Sequence, residues 1–79
     1  MRNHLIKQDI TVSVFRTNIE AKDIITLSSI FNKTLSIQKW NTDLEDIDNI
    51  LRIESFEDIA EIIINTLSHQ GFQIEELED

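Results

Sequence analysis

Apolar and polar residues change their spacing several times along this chain, and each change marks the boundary of a predicted element. Residues 10–15, with the sequence ITVSVF, are rich in β-branched side chains and predict a first strand. Ile10, Val12 and Val14 alternate, but Phe15 falls out of step with them. The strand therefore either contains a bulge or has both of its faces partly covered.

From about Ala21 the apolar residues recur every three or four positions, which predicts a first helix. Asn18 or Glu20 would satisfy the first free amide groups of this helix. The apolar positions of the predicted helix are Ile24, Leu27, Ile30, Phe31 and Leu35.

A hairpin is predicted after the first helix. Residues 37–42 and residues 50–53 have the composition of two strands. Residues 43–49, between them, are dense in side chains that favour turns and tolerate unusual backbone angles. Residues 72–75 alternate again and predict a last strand.

The second helix has clearer signals at both ends. Ser55 is placed as its N-cap, with Asp58 in the capping-box position three residues later. Gly71, the only glycine of the chain, follows the helix where a left-handed C-terminal cap is expected. The predicted apolar stripe consists of Phe56, Ile59, Ala60, Ile63 and Leu67, and is widened by Ile62 and Ile64.

The predicted order of elements is β-α-β-β-α-β, in one domain spanning residues 1–79 with a polar lead-in at residues 1–9. Two helices on one face of a four-stranded antiparallel sheet form the ferredoxin-like two-layer α+β sandwich. Because each crossover is right-handed, we expect the first and third strands at the centre of the sheet and the second and fourth at its edges.

Charge and composition narrow the classes of partner. The chain has 7 basic and 15 acidic residues, a net charge of −8, which disfavours nucleic acid and anionic membranes. No run approaches the roughly 18 apolar residues that span a bilayer. The first residues lack the apolar core of a secretory signal, so a cytoplasmic location is expected. With no cysteine, no disulfide can reinforce the fold.

The path from the first strand into the first helix, residues 15–24, resembles the metal-binding loop of heavy-metal-associated (HMA) domains. The hairpin at residues 40–46 is similar to the second strand of that family, and Gly71-Phe72 resembles the glycine and aromatic residue that precede its last strand. The resemblance covers roughly residues 10–78. It implies a ferredoxin-like fold and, for typical members, transport of a soft metal ion.

The residues that define the metal site of that family are replaced in this chain. Family members carry two cysteines, whose positions correspond to Ala21 and Ile24 here, after Asn18, Ile19 and Glu20 in the same loop. Aliphatic side chains have no lone pairs to donate, and soft Cu(I) depends on sulfur ligands. We therefore expect no metal at this loop and no cofactor.

Other metal ligands have weak support. His4 and His69 are the only imidazoles, and no motif spacing brings them together. The predicted hairpin turn offers hard oxygen ligands that could bind a divalent cation weakly, although solvated carboxylates are the simpler interpretation. The candidate residues for a hard cation are Asp43, Glu45, Asp46 and Asp48.

Catalytic motifs are missing from the sequence, which favours a protein that is not an enzyme. Three apolar residues are candidates for an interaction surface. Trp40 is either part of the core or an exposed anchor. Val12 and Val14 form an outward-facing apolar strip if Phe15 points toward the helices.

The sequence thus predicts an HMA-like domain without thiolate ligands that acts as a protein-interaction module. Its partner is either another protein or a further copy of the chain. The alternative is a metal-binding or metal-trafficking protein that uses carboxylates, histidines or ligands shared between chains.

Overall fold

The computed structural model of the chain describes residues 9–77 as one four-stranded antiparallel sheet with two helices. The strands are β1 (Thr11–Thr17), β2 (Ile37–Asp43), β3 (Ile50–Ser55) and β4 (Ile74–Leu77). The helices are α1 (Ile24–Phe31), which a 3-10 turn at Ala21–Asp23 precedes, and α2 (Ala60–His69). The sheet order is β2-β3-β1-β4. The ferredoxin-like α+β sandwich is confirmed, with the first and third strands at its centre.

The core lies between the helices and one face of the sheet. Phe15 of β1 and Leu51 and Ile53 of β3 have no exposed surface, and they form one cluster with Leu27 of α1 and Leu67 of α2. These residues come from both helices and both central strands, which explains why a chain of this size holds together without disulfides.

The alternation of β1 places Phe15 toward the helices. Ser13 and Phe15 are buried, whereas Val12 is 45% exposed and Val14 is partly exposed on the opposite face. The pairing of β1 with β3 runs without a shift from Thr11 to Phe15. The predicted alternative of a bulge in β1 is therefore not found between Thr11 and Phe15, and the regular alternation of valines marks the outer face of the strand.

Helix α1 is shorter than the sequence predicted. It ends at Phe31, and the chain then turns through bonds from the Lys33 and Thr34 amides to the carbonyls of Ile30 and Phe31. The Thr34 hydroxyl also donates to the Ile30 carbonyl, at 3.2 Å. Leu35 follows this turn and is 95% exposed, so its assignment to the apolar side of the helix was wrong.

The start of α2 also differs from the prediction. Ser55 is the last residue of β3, and its hydroxyl donates to the Glu57 carbonyl at 2.6 Å instead of capping a helix. The helix begins at Ala60, whose amide donates to the Asp58 carboxylate at 3.2 Å. Sheet pairing on both sides of Ser55 competes with the local capping signal, because Ser55 aligns with Thr11 and with Ile37.

Two residues that the sequence assigned to the apolar stripe of α2 are not part of its buried side. Phe56 precedes the helix and is 39% exposed, and Ile62 lies on the helix but is 58% exposed. Strand β4 starts two residues later than predicted.

The predicted C-terminal cap of α2 is confirmed. Gly71 has a φ of 95°, and the Phe72 and Gly71 amides donate to the carbonyls of Leu67 and Ser68, both at 3.0 Å. This is the Schellman arrangement, which turns the chain toward the sheet. Across residues 9–77, neither helix has the length and apolar character needed to cross a membrane.

Candidate interaction surface

Both helices of residues 9–77 pack on the same face of the sheet, and we call the other face the open face. Directly opposite residues of neighbouring strands share a face, so the register defines its members. Val12 pairs with Glu54, Val14 with Arg52 and Leu77, and Arg16 with Glu75. The open face consists of Val12, Val14 and Arg16 of β1, Lys39, Asn41 and Asp43 of β2, Ile50, Arg52 and Glu54 of β3, and Glu75 and Leu77 of β4.

An apolar strip crosses the part of the open face that β1 and β4 form. Val12 is 45% exposed, and Val14 and Leu77, which pair directly, are partly exposed. Ile10, two positions before Val12, is 41% exposed. The apolar strip (Val12, Val14 and Leu77) therefore presents branched aliphatic side chains to solvent from a rigid central strand.

Charged residues of both signs surround the apolar strip. The Arg16 guanidinium lies 3.2 Å from the Asp48 carboxylate and 3.2 Å from the Glu75 carboxylate. Arg52 lies 3.8 Å from Glu54 on the same strand. The side chains of Arg16 and Arg52 remain about half exposed, 51% and 48%, so these ion pairs are solvated and weak.

Trp40 lies on the other face of the sheet. It pairs with buried Ile53, and its ring meets that of Phe31 edge to face, with centroids 5.0 Å apart and planes at 70°. Such aromatic pairs prefer this geometry. Of the three residues considered for an interaction surface, Val12 and Val14 share the open face, and Trp40 packs at the edge of the core.

The loop that resembles an HMA metal loop is bound to two other parts of the chain. The Asn49 side-chain amide donates to the Ile19 carbonyl at 2.6 Å, and the Thr17 hydroxyl donates to the Asn49 carbonyl at 2.5 Å. The Ile19 amide donates back to the Thr17 hydroxyl at 3.1 Å. Asn49 holds the left-handed conformation, with a φ of 46°, which asparagine tolerates better than most residues.

A second connection joins the same loop to the entrance of β4. The Asn18 amide donates to the Gln73 carbonyl at 3.2 Å, and the Gln73 amide donates to the Asn18 side chain at 2.9 Å. Ile19 between these connections is fully buried. We call these bonds of residues 17–19 with Asn49 and Gln73 the loop clamp.

The start of the 3-10 turn satisfies its own backbone. The Glu20 amide donates to the Asp23 carboxylate at 2.9 Å, and the Asp23 amide donates to the Glu20 carbonyl at 2.9 Å. Ala21 is exposed and Ile24 packs against the core. The two positions that correspond to cysteines in the HMA comparison therefore carry aliphatic groups in different environments.

A shallow groove of about 290 Å³ lies beside this loop. Its lining is mostly polar and includes Asn18, Glu20, Lys22, Asp23 and Gln70. Lys22 and Glu20 are 3.6 Å apart, so opposite charges face each other at the groove. A second groove, of about 220 Å³, lies at the junction of β1 and β4, where Arg16 is already paired with two carboxylates.

The acidic hairpin turn uses its carboxylates to hold its own backbone. Asp43 accepts the Glu45 amide at 3.2 Å, and Asp46 accepts the Asp48 amide at 2.8 Å. Asp48 also pairs with Arg16. Nowhere within residues 9–77 do three His, Cys, Asp or Glu side chains come together as a metal-binding group. His69 is exposed at the end of α2, and His4 lies outside the described residues.

Sequence reasoning did not identify Leu77 or Asn49 as important residues. Leu77 is surrounded by acids in the sequence, and only the register of β4 places it beside Val14. One signal could have identified Leu77. If the alternation of Ile74 and Glu75 is continued by two residues, Leu77 falls on the same face of the sheet as Glu75. Asn49 was recognised as a turn residue, but its partner Ile19 lies 30 positions away and could not be inferred.

Comparisons with family models, curated proteins and solved structures find no match to this chain. The HMA relationship therefore stays a prediction based on the sequence.

Proposed function

We propose that this chain is a non-enzymatic protein-interaction module that binds through its open face. The observation that carries this proposal is the apolar strip, in which Val12 is 45% exposed on a central strand of an uncovered sheet. Exposed apolar groups of this kind, surrounded by charged residues, are typical of association surfaces. An HMA-like ancestry fits this proposal as a scaffold that binds proteins without a metal site.

The geometry of the loop supports an interaction role over metal transport. Ile19 is buried, and its carbonyl is the acceptor of the Asn49 side chain. The loop clamp holds the backbone in place through hydrogen bonds within the chain. The carboxylates of residues 18–24 are those of Glu20 and Asp23. The Asp23 carboxylate already accepts the Glu20 amide, so it is engaged in holding the turn.

The test compares two substitutions that change the charge equally at exposed aliphatic residues. Val12→Lys places a cation in the apolar strip, and Ile62→Lys places the same cation on α2. Each variant and the unchanged chain are analysed by sedimentation at several concentrations and used as immobilised bait for proteins of the source cell. Circular dichroism establishes that each variant is folded.

The proposal predicts association, either with itself or with a captured protein, that Val12→Lys weakens and Ile62→Lys leaves intact. A chain that associates with nothing in either assay would contradict it. Association that both variants retain would place the binding surface elsewhere and contradict it as well.

A further inference from the structure

We infer that the occupant of the open face is a second copy of this chain, stacked sheet to sheet in a twofold-symmetric dimer. This inference rests on the proposed function, because it names the partner of the same surface. Its basis is the distribution of charge over the molecule together with the order of residues on the strands.

The open face is electrically balanced, in contrast to the chain as a whole. Its strand positions carry three basic residues, Arg16, Lys39 and Arg52, and three acidic residues, Asp43, Glu54 and Glu75. The net charge of −8 therefore resides entirely outside these positions. Two copies can bring their open faces together without opposing net charges, whereas contacts between most other parts of their surfaces oppose acid to acid.

A basic partner would be drawn to a different side of the molecule. Exposed acids outside the open face include Glu45, Asp46, Glu57, Asp58 and Glu61. Electrostatic steering favours surfaces of opposite potential. A strongly basic protein is therefore attracted more strongly to these acidic parts of the surface than to the balanced open face. A surface that combines apolar residues with charges of both signs is complementary to a surface of the same composition. The open face of a second copy of this chain is such a surface.

The positions of the charges on β2 define how two copies can fit. Lys39 and Asp43 lie in β2 two residues before and two residues after Asn41. A twofold axis that lies between the sheets and runs across the strands at the level of Asn41 and Val14 places Lys39 of each copy over Asp43 of the other. The same axis brings the Val14–Leu77 pairs of the two copies together, because these residues lie on its level.

The remaining arginines are compatible with this arrangement. Arg52 lies on the level of the axis but is drawn toward Glu54 in its own strand, so the two guanidinium groups diverge. Arg16 of one copy lies over Val12 of the other, where its aliphatic stem can cover the valine. Each copy therefore contributes both the apolar and the charged groups that the other copy contacts.

The size of the face sets the strength of the dimer. Four strands about 4.8 Å apart, with residues spaced about 3.4 Å along them, form a face of roughly 20 by 20 Å. Stable interfaces bury about 800 Å² per partner, more than such a face supplies. The dimer is therefore weak and forms at micromolar or higher concentrations.

The test is a charge reversal on β2, measured by sedimentation equilibrium from about 10 µM to about 1 mM. Lys39→Glu opposes two pairs of like charges across the axis and raises the dimer dissociation constant by about tenfold. Lys33→Glu, an equal change at an exposed residue outside the open face, has little effect. The double variant Lys39→Glu with Asp43→Asn removes the like charges, keeps a side-chain oxygen that accepts the Glu45 amide, and restores the dimer.

Chemical shifts followed on dilution provide a second measurement that needs no variant. We expect concentration-dependent shifts at Val12, Val14, Asn41 and Leu77 and none on α2. A chain that is monomeric over the whole range overturns the inference. A dimer that Lys33→Glu weakens as much as Lys39→Glu, or one that the double variant does not restore, also overturns it.

Failure of this inference is distinguishable from failure of the proposed function. A monomeric chain that still captures another protein in a Val12-dependent way refutes the second copy and keeps the interaction module. A monomeric chain that captures nothing refutes both.

Discussion

The two faces of β1 differ in what they contribute to the molecule. Phe15 and Ser13 point toward the helices and are buried, whereas Val12 and Val14, their direct neighbours in sequence, face solvent. Both faces carry apolar groups, so hydrophobicity alone does not separate them. The face that packs against the helices, which we call the covered face and to which Ser13 and Phe15 belong, holds the fold together. The open face keeps apolar surface that is exposed among residues 9–77. The difference indicates that stability and interaction can be altered independently on one strand.

Replacing one residue on each face of β1 by alanine should give the largest difference in the free energy of unfolding. Phe15→Ala removes a fully buried ring and is expected to lower the free energy of unfolding by about 3–5 kcal/mol. Val12→Ala, its control on the open face, should change it by about 0.5 kcal/mol or less. Denaturant unfolding of both variants measures the two values. Similar losses at the two positions would show that the open face is also structural.

Substitutions in the loop clamp should lower the free energy of unfolding by the next largest amount, after those on the covered face. Asn49→Ala removes the donor to the Ile19 carbonyl and leaves a residue at a φ of 46° that tolerates the left-handed region less well than asparagine, at an expected cost of about 2–3 kcal/mol. Asn49→Gly keeps the backbone conformation accessible and should cost about 1–2 kcal/mol. The difference between the two variants in denaturant unfolding isolates the backbone contribution. Equal losses would mean that the positive φ carries no cost.

A substitution at the C-terminal cap of α2 measures the cost of a backbone conformation alone. A β-carbon at Gly71 would meet no atom within 4 Å, so Gly71→Ala has only the conformational cost of its φ of 95°, about 1–2 kcal/mol. Gly71→Asn should lose less, because asparagine tolerates positive φ. Thermal unfolding ranks the two variants. A neutral Gly71→Ala would contradict the importance of the Schellman arrangement for stability.

Ion pairs on the open face should have the smallest effect. Arg16→Gln breaks contacts with Asp48 and Glu75, but all three side chains are substantially exposed. The expected loss is about 0.5 kcal/mol or less, and it should shrink as salt is added. Unfolding at low and high ionic strength measures it. A loss above about 1 kcal/mol that salt does not reduce would place Arg16 among the residues that hold the fold together.

Spacing in the sequence was sufficient for the order of elements and the sheet topology, because six short segments with two crossovers permit few arrangements. It was insufficient for the face of β1. The alternating valines gave the stronger pattern, yet Phe15 decides the buried side because its ring fills the space beneath the helices.

Local capping signals failed where long-range pairing competes with them. Ser55 has the residues of a capping box after it, but β3 extends through Ser55 because strands on both sides pair with it. The candidate site was predicted in part. Val12 and Val14 were identified, whereas Leu77, Lys39 and Arg52 became part of the same surface only through the register.

The loop clamp has a consequence for the order in which the chain folds. Residues 18 and 19 bond with partners 55 and 30 positions later in the sequence. The bonds between Asn18 and Gln73 can form only after synthesis has passed residue 73, so the loop clamp is complete only when the start of the last strand lies beside the loop. Slow hydrogen exchange at the amides of Asn18 and Gln73 would accordingly report that the whole domain has assembled, and not merely its first half.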